Sequence, residues 1–249
     1  MEARRVSARL STTPARNHDD VSGFFDASAA HYIEQHGPAA RLLRYRVSLL
    51  RVAARFRPGD TVLEIGCGDG MHLFAMAGDF ARGIGVDISA AMIERANARA
   101  NERFRFSVDL GETLATVDEA SVDVVYCVGS LEHMLDQPAV ARAARRVLKP
   151  GGRFAGLTPN GGYVWYRHIA PLLGLATQHL ATDHFLTRGE LVTLLHEAGF
   201  TDVRTGWWTF IPRGDMPSWV ARILTVLDWL RIPPFRGGIV WSAATNPKS

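Results

Sequence analysis

The stretch Val62-Leu63-Glu64-Ile65-Gly66-Cys67-Gly68-Asp69-Gly70 brings a carboxylate and three closely spaced glycines together. The apolar run that opens it reads as a short buried strand. The glycines read as a tight turn, and Met71 to Ala77 follows with helical character. Gly66 and Gly68 lack a Cβ, so a ligand can lie against the backbone there. A dinucleotide fingerprint would space its glycines G-x-G-x-x-G, but here Gly70 is the third and Met71 holds the expected place. A pyrophosphate would be poorly served by Glu64 so close by; a cationic or zwitterionic ligand would be served well. A second short strand, Arg82 to Ile88, carries Asp87 about 20 residues beyond the turn. Strand–turn–helix crossovers put there the acid that accepts the two hydroxyls of a ribose.

The elements that must position these groups follow in order. Phe104 to Val108 alternates as a third strand, and Ser121 to Gly129 reads as a fourth. Ser89 is an N-cap for a helix from Ala90 to Ala100, and Leu42 to Phe56 is amphipathic with Leu43, Val47, Leu50 and Val52 on one stripe. A helix from Val140 to Leu148 closes at the turn Lys149-Pro150-Gly151-Gly152, ahead of a fifth strand, Arg153 to Thr158. Thr187-Arg188-Gly189-Glu190 is a capping box. Val203 to Phe210 and Gly238 to Ala244 supply strands six and seven.

The glycine stretch resembles motif I of the class I S-adenosylmethionine-dependent methyltransferases, whose pattern is close to V-L-E-I-G-C-G-x-G. Leu131-Glu132-His133 matches the L-E-H segment at motif IV of many small-molecule methyltransferases, and Leu148-Lys149-Pro150-Gly151-Gly152 is a further hallmark. His184-Phe185-Leu186-Thr187 is similar to the H-x-F-T lead-in of the ubiquinone-pathway, type 11/12 branch. Phe25, Asp26, Ala29 and Tyr32 match an F-D-x-x-A-x-x-Y segment that lids the cofactor in that family. The likeness covers about residues 24–210. It implies an α/β fold: a Rossmann-like seven-stranded, mostly parallel sheet with helices on both faces and a small helical, aromatic cap. It implies S-adenosyl-L-methionine as cofactor, held by Tyr32, Glu64, Gly66, Cys67, Gly68, Asp87, Ile88, Met92, Asp109, Leu110 and Val128. In the family Met92 would lie near the adenine and Asp109 would meet its amino group. Aligning Gly111-Glu112-x-Leu114 with the usual Asp-Ala-Glu-x-Leu sets Asp109 one place early.

Methyl transfer from a sulfonium is an in-line displacement, in which the protein aligns the partners and excludes water. A phenol or carbon acid also needs a base poised near neutral pH, a task that suits histidine. His133, just beyond strand four, is the leading catalytic candidate, with His184 and His168 as alternates. Some ubiquinone-pathway enzymes bind a divalent metal near Glu-x-x-Glu-His. Gly129 stands where the first Glu would be, which removes an oxygen ligand, so no metal is predicted. The Asp/Asn-Pro-Pro-Tyr/Phe tetrapeptide of adenine amino-group methylases is missing from motif IV, which argues against that chemistry.

The 249 residues carry 47% hydrophobic side chains and a formal charge of +3. That suits one α/β domain with a sizeable core, and without a dense Lys/Arg run it argues against nucleic acid as partner. Cys67 and Cys127 fall at strand ends and read as buried thiols of a reducing compartment, hence a cytoplasmic protein, with membrane association as an option. No apolar run is long enough to span a bilayer. Residues 1–20 read as a flexible tail ahead of a methyltransferase domain over 21–249. Residues 160–186, with Tyr163, Trp165, Tyr166 and His168, read as a substrate cap inserted into it. An apolar helical segment lies at 213–236; its 217–234 portion suits core packing, a homodimer or a peripheral membrane contact. The expected activity is O- or C-methylation of a small, apolar or aromatic molecule. Two rivals are a non-catalytic cofactor-binding or membrane-interaction protein and an NAD-dependent oxidoreductase, the latter disfavoured by the glycine spacing and Glu64.

Overall fold

A computed structural model of the protein describes residues 15–29, 39–169, 172, 180–208 and 237–246. Seven strands form one sheet: β1 Thr61–Ile65, β2 Arg82–Asp87, β3 Phe104–Val108, β4 Val122–Val128, β5 Leu148–Pro159, β6 Thr201–Trp208 and β7 Gly238–Ala244. Their order is β3-β2-β1-β4-β5-β7-β6. Pairings from β3 across to β5 are parallel, and β7 runs antiparallel to both β5 and β6. The chain leaves β1 toward β2 and β3, then returns to β4 on the other side. That reversal opens a crevice at the carboxyl ends of the central strands. Ile65 is level with Val86 on β2 and Cys127 on β4, so all three strand ends face the same opening.

Alternation along the strands feeds two apolar layers. Leu63, Ile65, Val125 and Cys127 pack against Val140, Ala144 and Val147 of α5 (Gln137–Val147) and Leu191 and Leu195 of α6 (Arg188–Glu197). On the other face Val62, Val124 and Tyr126 pack against Val47, Leu50 and Ala54 of α2 (Ala39–Ala54) and Leu73 of α3 (Met71–Ala75). Ile93 and Ala96 of α4 (Ala90–Asn97) complete that layer. Ser89 caps α4 as expected, its Oγ accepting from Met92 N, and both halves of the Thr187–Glu190 capping box form.

Three expectations need correction. Val52 is 77% exposed while Ala54 is buried, because the inward stripe of α2 runs through 47, 50 and 54 at helical spacing. Lys149 to Gly152 is no turn between helix and strand: β5 already pairs at Leu148, and the extra residues form a bulge before Arg153 joins Val124. Gly151, at φ 75°, absorbs that bulge. Finally, a helix α1 spans His18–Ala29, so ordered structure starts inside the expected tail, with Ala15 and Val21 both buried.

Within the segment 160–186 expected as a cap, Tyr163, Trp165 and Tyr166 are buried and pack with Phe185 and Ile169 around a π-helical turn, Trp165–Ile169. Tyr32 and the apolar segment at 213–236 lie outside the described residues. Among the described residues no helix is long and apolar enough to cross a membrane.

Candidate active site

The turn after β1 is pinned from three sides. Gly66 and Cys67 both donate their N–H to the Val86 carbonyl, at 2.8 and 3.0 Å. Ser130 Oγ donates to the Ile65 carbonyl at 2.8 Å. Gly66 sits at φ 69° and Gly68 at φ 53°, in the left-handed region. A Cβ at Gly66 would collide with the Ser130 side chain, whereas one at Gly68 meets no protein atom within 4 Å and would project into the crevice.

Asp87 closes the turn from β2. Its Oδ2 accepts from Gly68 N at 2.8 Å and its Oδ1 from Ser89 N at 2.9 Å. Each oxygen keeps a second lone pair for a ligand. Burial pushes this carboxyl above its ordinary value against the pull of those two amides, and the charges of Glu64 and Asp26 add to the rise.

These groups line a cleft at the carboxyl ends of the central strands, enclosing about 710 Å³ with the open mouth included. Gly66, Gly68, Asp87, Ile88, Met92, Asp109, Leu110, Val128 and His133 all line it. Two candidates do not. Glu64 is fully buried and turned toward the α2–α3 face, bonded to His72 Nδ1 at 2.9 Å and Tyr126 Oη at 3.0 Å. Cys67 is buried as well; its sulfur sits beside the place a Cβ on Gly85 would take, and burial pushes the thiol up. Asp109 reaches the cavity with its oxygens already engaged, accepting from Leu110 N, Thr113 Oγ1, Thr116 N and Thr116 Oγ1 at 2.7–3.3 Å.

Several lining residues escaped the sequence reading. His18 and Val21 come from α1, from the expected tail or its edge, and stand beside Phe25, which the F-D-x-x-A pattern had marked. Val86, Gly111, Glu112, Gly129, Ser130 and Met134 complete the lining. Helix α1 is fastened over the cavity: Ser22 Oγ donates to the Ile88 carbonyl at 3.1 Å, and Asp26 Oδ1 accepts from Ser89 Oγ at 2.5 Å and Ala91 N at 3.1 Å. The F-D-x-x-A pattern was the one signal for it.

His133 ends a short 3₁₀ turn, Leu131–His133, at the β4 side of the cavity. Its side chain is 11% exposed, and the Phe25 ring packs edge-on against it at 5.3 Å. Nδ1 lies 2.7 Å from Oδ1 of Asp183, whose Oδ2 in turn accepts from Leu180 N at 2.9 Å. Burial alone would lower the imidazole; the hydrogen bond to Asp183 and the charges of Glu132, Asp183 and Asp87 outweigh it and hold His133 above its ordinary value. His184 and His168 are exposed on the cap and do not line the cavity.

The site fits a nucleoside with a positive centre: a bare glycine backbone that a Cβ would fill, a carboxylate with lone pairs to spare for a diol, and an apolar wall from Met92 to Leu110. Comparison with known proteins agrees. A family model described as a methyltransferase domain matches residues 38–205. The ubiquinone biosynthesis O-methyltransferase of Xanthomonas axonopodis pv. citri is 32% identical over 194 residues, 73% of this chain and 80% of that protein. The 27-O-demethylrifamycin SV methyltransferase of Amycolatopsis mediterranei is 41% identical over 107 residues, 40% of this chain and 38% of its own length. Geranyl diphosphate C-methyltransferase from Streptomyces coelicolor, solved with S-adenosyl-L-homocysteine, shares the fold at a TM-score of 0.67 and 18% identity, covering 93% of this chain and 99% of that one. The chain belongs to the methyltransferase-domain family and is an S-adenosyl-L-methionine-dependent methyltransferase of small molecules.

Proposed function

We propose that the chain methylates a hydroxyl oxygen of a small, apolar or aromatic molecule, with His133 as general base. The observation that carries this reading is the His133–Asp183 pair at the β4 end of the cavity. Asp183 holds the imidazole through Nδ1, and in this reading the other ring nitrogen, Nε2, takes the acceptor's proton. Asp183 fixes the tautomer and steadies the imidazolium that forms. In the same reading Gly66, Gly68, Asp87, Ile88, Met92, Asp109, Leu110 and Val128 hold the cofactor, and Asp87 takes the ribose hydroxyls. When bound, the cofactor supplies a methyl on a sulfonium, whose S–CH₃ bond breaks as the O–CH₃ bond forms, leaving a neutral thioether. The protein's part is alignment, removal of the acceptor proton and exclusion of water by α1 and the cap. The two relatives named for O-methylation support an oxygen acceptor. The aromatic cluster of the cap supports an apolar or aromatic one.

No nucleic acid is expected as partner, and the segment at 217–234 is proposed as a dimer or peripheral membrane contact. The test is methyl-labelled cofactor with a panel of phenols, quinols, lipids, RNA and protein. Label in a phenol or quinol oxygen is the expected result. Label only at carbon would move the reading to C-methylation, and label only in RNA or protein would overturn it.

A further inference from the structure

Gln137 opens α5 and is buried, at 6% exposure. The helix does not need it as a cap, since Asp136 Oδ1 already accepts from Ala139 N at 2.8 Å. Its amide instead reaches back across the helix start. Nε2 donates to the Leu131 carbonyl and to the His184 carbonyl, each at 2.9 Å. Two carbonyls offer only acceptors, so the NH₂ end must face them, and its two hydrogens serve one each. A third link is backbone: His184 N donates to the Glu132 carbonyl at 2.9 Å. The residues just before His133 are thus laced to the residue just after Asp183. Asp183 itself sits in a local turn, its N donating to Leu180 O at 3.1 Å and its Oδ2 accepting from Leu180 N at 2.9 Å. That turn aims the carboxylate but does not set its distance from His133. The distance depends on what joins the two stretches of chain, and Gln137 supplies two of the joining hydrogen bonds from one atom.

We propose that Gln137 is a positioning residue for the reaction: its amide clamps the turn that carries His133 to the segment that carries Asp183, and so keeps Asp183 Oδ1 on the imidazole. Gln137 does not line the cavity and acts through the pair alone. The inference rests on the reading of His133 as the base. It makes the orientation of the base depend on the seating of residues 180–184. A bond of 2.7 Å between side chains from two separate segments survives only small drifts between them. No carboxylate or thioether at position 137 could replace the clamp, because neither can donate to two carbonyls.

The experiment is an NMR pH titration of the His133 ring in the full chain, its signal assigned by its loss in His133→Gln. It is repeated in Gln137→Met, in Asp183→Asn and in the double variant. Methionine keeps the length of glutamine and removes the donors. Leu131 O would still accept from Met134 N at 3.2 Å, and His184 is exposed, so its carbonyl can turn to water and the variant is expected to fold. In the parent the midpoint should lie above the ordinary histidine value, held there against burial by the Asp183 hydrogen bond and the charges of Glu132, Asp183 and Asp87. In Gln137→Met it should fall by about half to one pH unit. The direction is the same whether the ring stays buried, which lowers it, or meets water, which returns it to the ordinary value. Asp183→Asn should fall at least as far, and adding Gln137→Met to it should move the midpoint little further, because both act through one bond. On the phenol or quinol that accepts labelled methyl, Gln137→Met should lose about tenfold in kcat with KM within about threefold. An unmoved midpoint in Gln137→Met, or shifts that add in full in the double variant, would make Gln137 a structural brace and end the proposal. If Gln137→Met does not fold, Gln137→Asn decides in its place: one methylene shorter, its amide cannot reach both carbonyls, so the same fall is expected and an unmoved midpoint overturns the idea. An unmoved midpoint in Asp183→Asn, or full activity in His133→Gln, would refute the base reading itself, a different failure from an unmoved Gln137→Met.

Discussion

Asp183 and His133 are 50 positions apart in the chain and 2.7 Å apart in space, Oδ1 to Nδ1. The carboxylate comes from the far end of the cap and the imidazole from the turn after β4, so the proposed base is assembled only when the cap is seated. Asp183→Asn would test this. Its amide can satisfy His133 or Leu180 N but not both, since one oxygen becomes a donor. The variant is expected to lose about tenfold to a hundredfold in kcat with little change in KM. The pH profile carries the sharper signal. His133 acts when unprotonated, and its folded value lies above the ordinary one, so the rate should climb through a limb above pH 6.5. Without the Asp183 hydrogen bond, the limb should move to lower pH as the plateau falls. The same raised value means that the pair's stabilisation is complete below the unfolded value and is lost as pH rises through the folded one. A variant whose limb does not move would show that Asp183 does not act on His133.

The two oxygens of Asp87 are each anchored by a backbone N–H, from Gly68 and Ser89. Asp87→Asn turns one acceptor into a donor facing an N–H, so the turn loses a pin and the ligand a pair of charge-assisted bonds. Each such bond contributes about 1.5–3 kcal/mol. Cofactor affinity by calorimetry should therefore fall at least tenfold to a hundredfold; an unchanged dissociation constant would remove Asp87 from the site.

How much of this was legible in the residues follows sequence distance. The β1–turn–α3 unit, Asp87 and the Ser89 cap are written in contiguous stretches, and the structure agrees with them. Local pattern could not reveal Asp183, because nothing near His133 in the chain announces it. Nor could it reveal which way Glu64 turns. Alternation sets it opposite Leu63 and Ile65, and only the presence of His72 and Tyr126 on that face makes an inward carboxylate tolerable. The cavity-lining role of His18 was hidden for a related reason: a polar, basic segment reads as tail until its helix has a surface to dock on. The bulge at Lys149–Gly152 shows the converse, a turn signature whose outcome as a bulge within β5 depended on the register of β4 and β5.

Gly66 and Gly68 share a backbone conformation and should fail differently when substituted. Gly66→Ala adds a Cβ that collides with Ser130, on top of a left-handed backbone. Strain and overpacking together should cost about 2–5 kcal/mol and appear as a lowered Tm. Gly68→Ala meets no protein atom within 4 Å, so its stability loss should stop near the roughly 1–2 kcal/mol of backbone strain. Its new methyl stands where a ligand would lie, so its cofactor affinity should drop more than its Tm suggests. Equal effects of the two on Tm would contradict the packing described for Ser130.

Asp26 ties α1 to the start of α4 through Ser89 Oγ and Ala91 N. In Asp26→Ala, helix α4 keeps its own cap, because Ser89 Oγ still accepts from Met92 N. The global stability loss should therefore be small, about 1 kcal/mol. The docking of α1 should suffer more, leaving the Ser22–Ile88 bond, the His18–Glu112 contact and Phe25 against His133 to hold it. Hydrogen exchange is the direct measure: amides of 18–29 should lose protection selectively while those of β1 and β4 keep theirs. Cofactor affinity should weaken several-fold, since one wall of the cavity opens more often. Removing the Asp26 charge also removes one of the causes that hold Asp87 up, so the Asp87 carboxyl should shift downward. Unaltered protection across 18–29 would mean that α1 is held by packing alone and that Asp26 serves only α4.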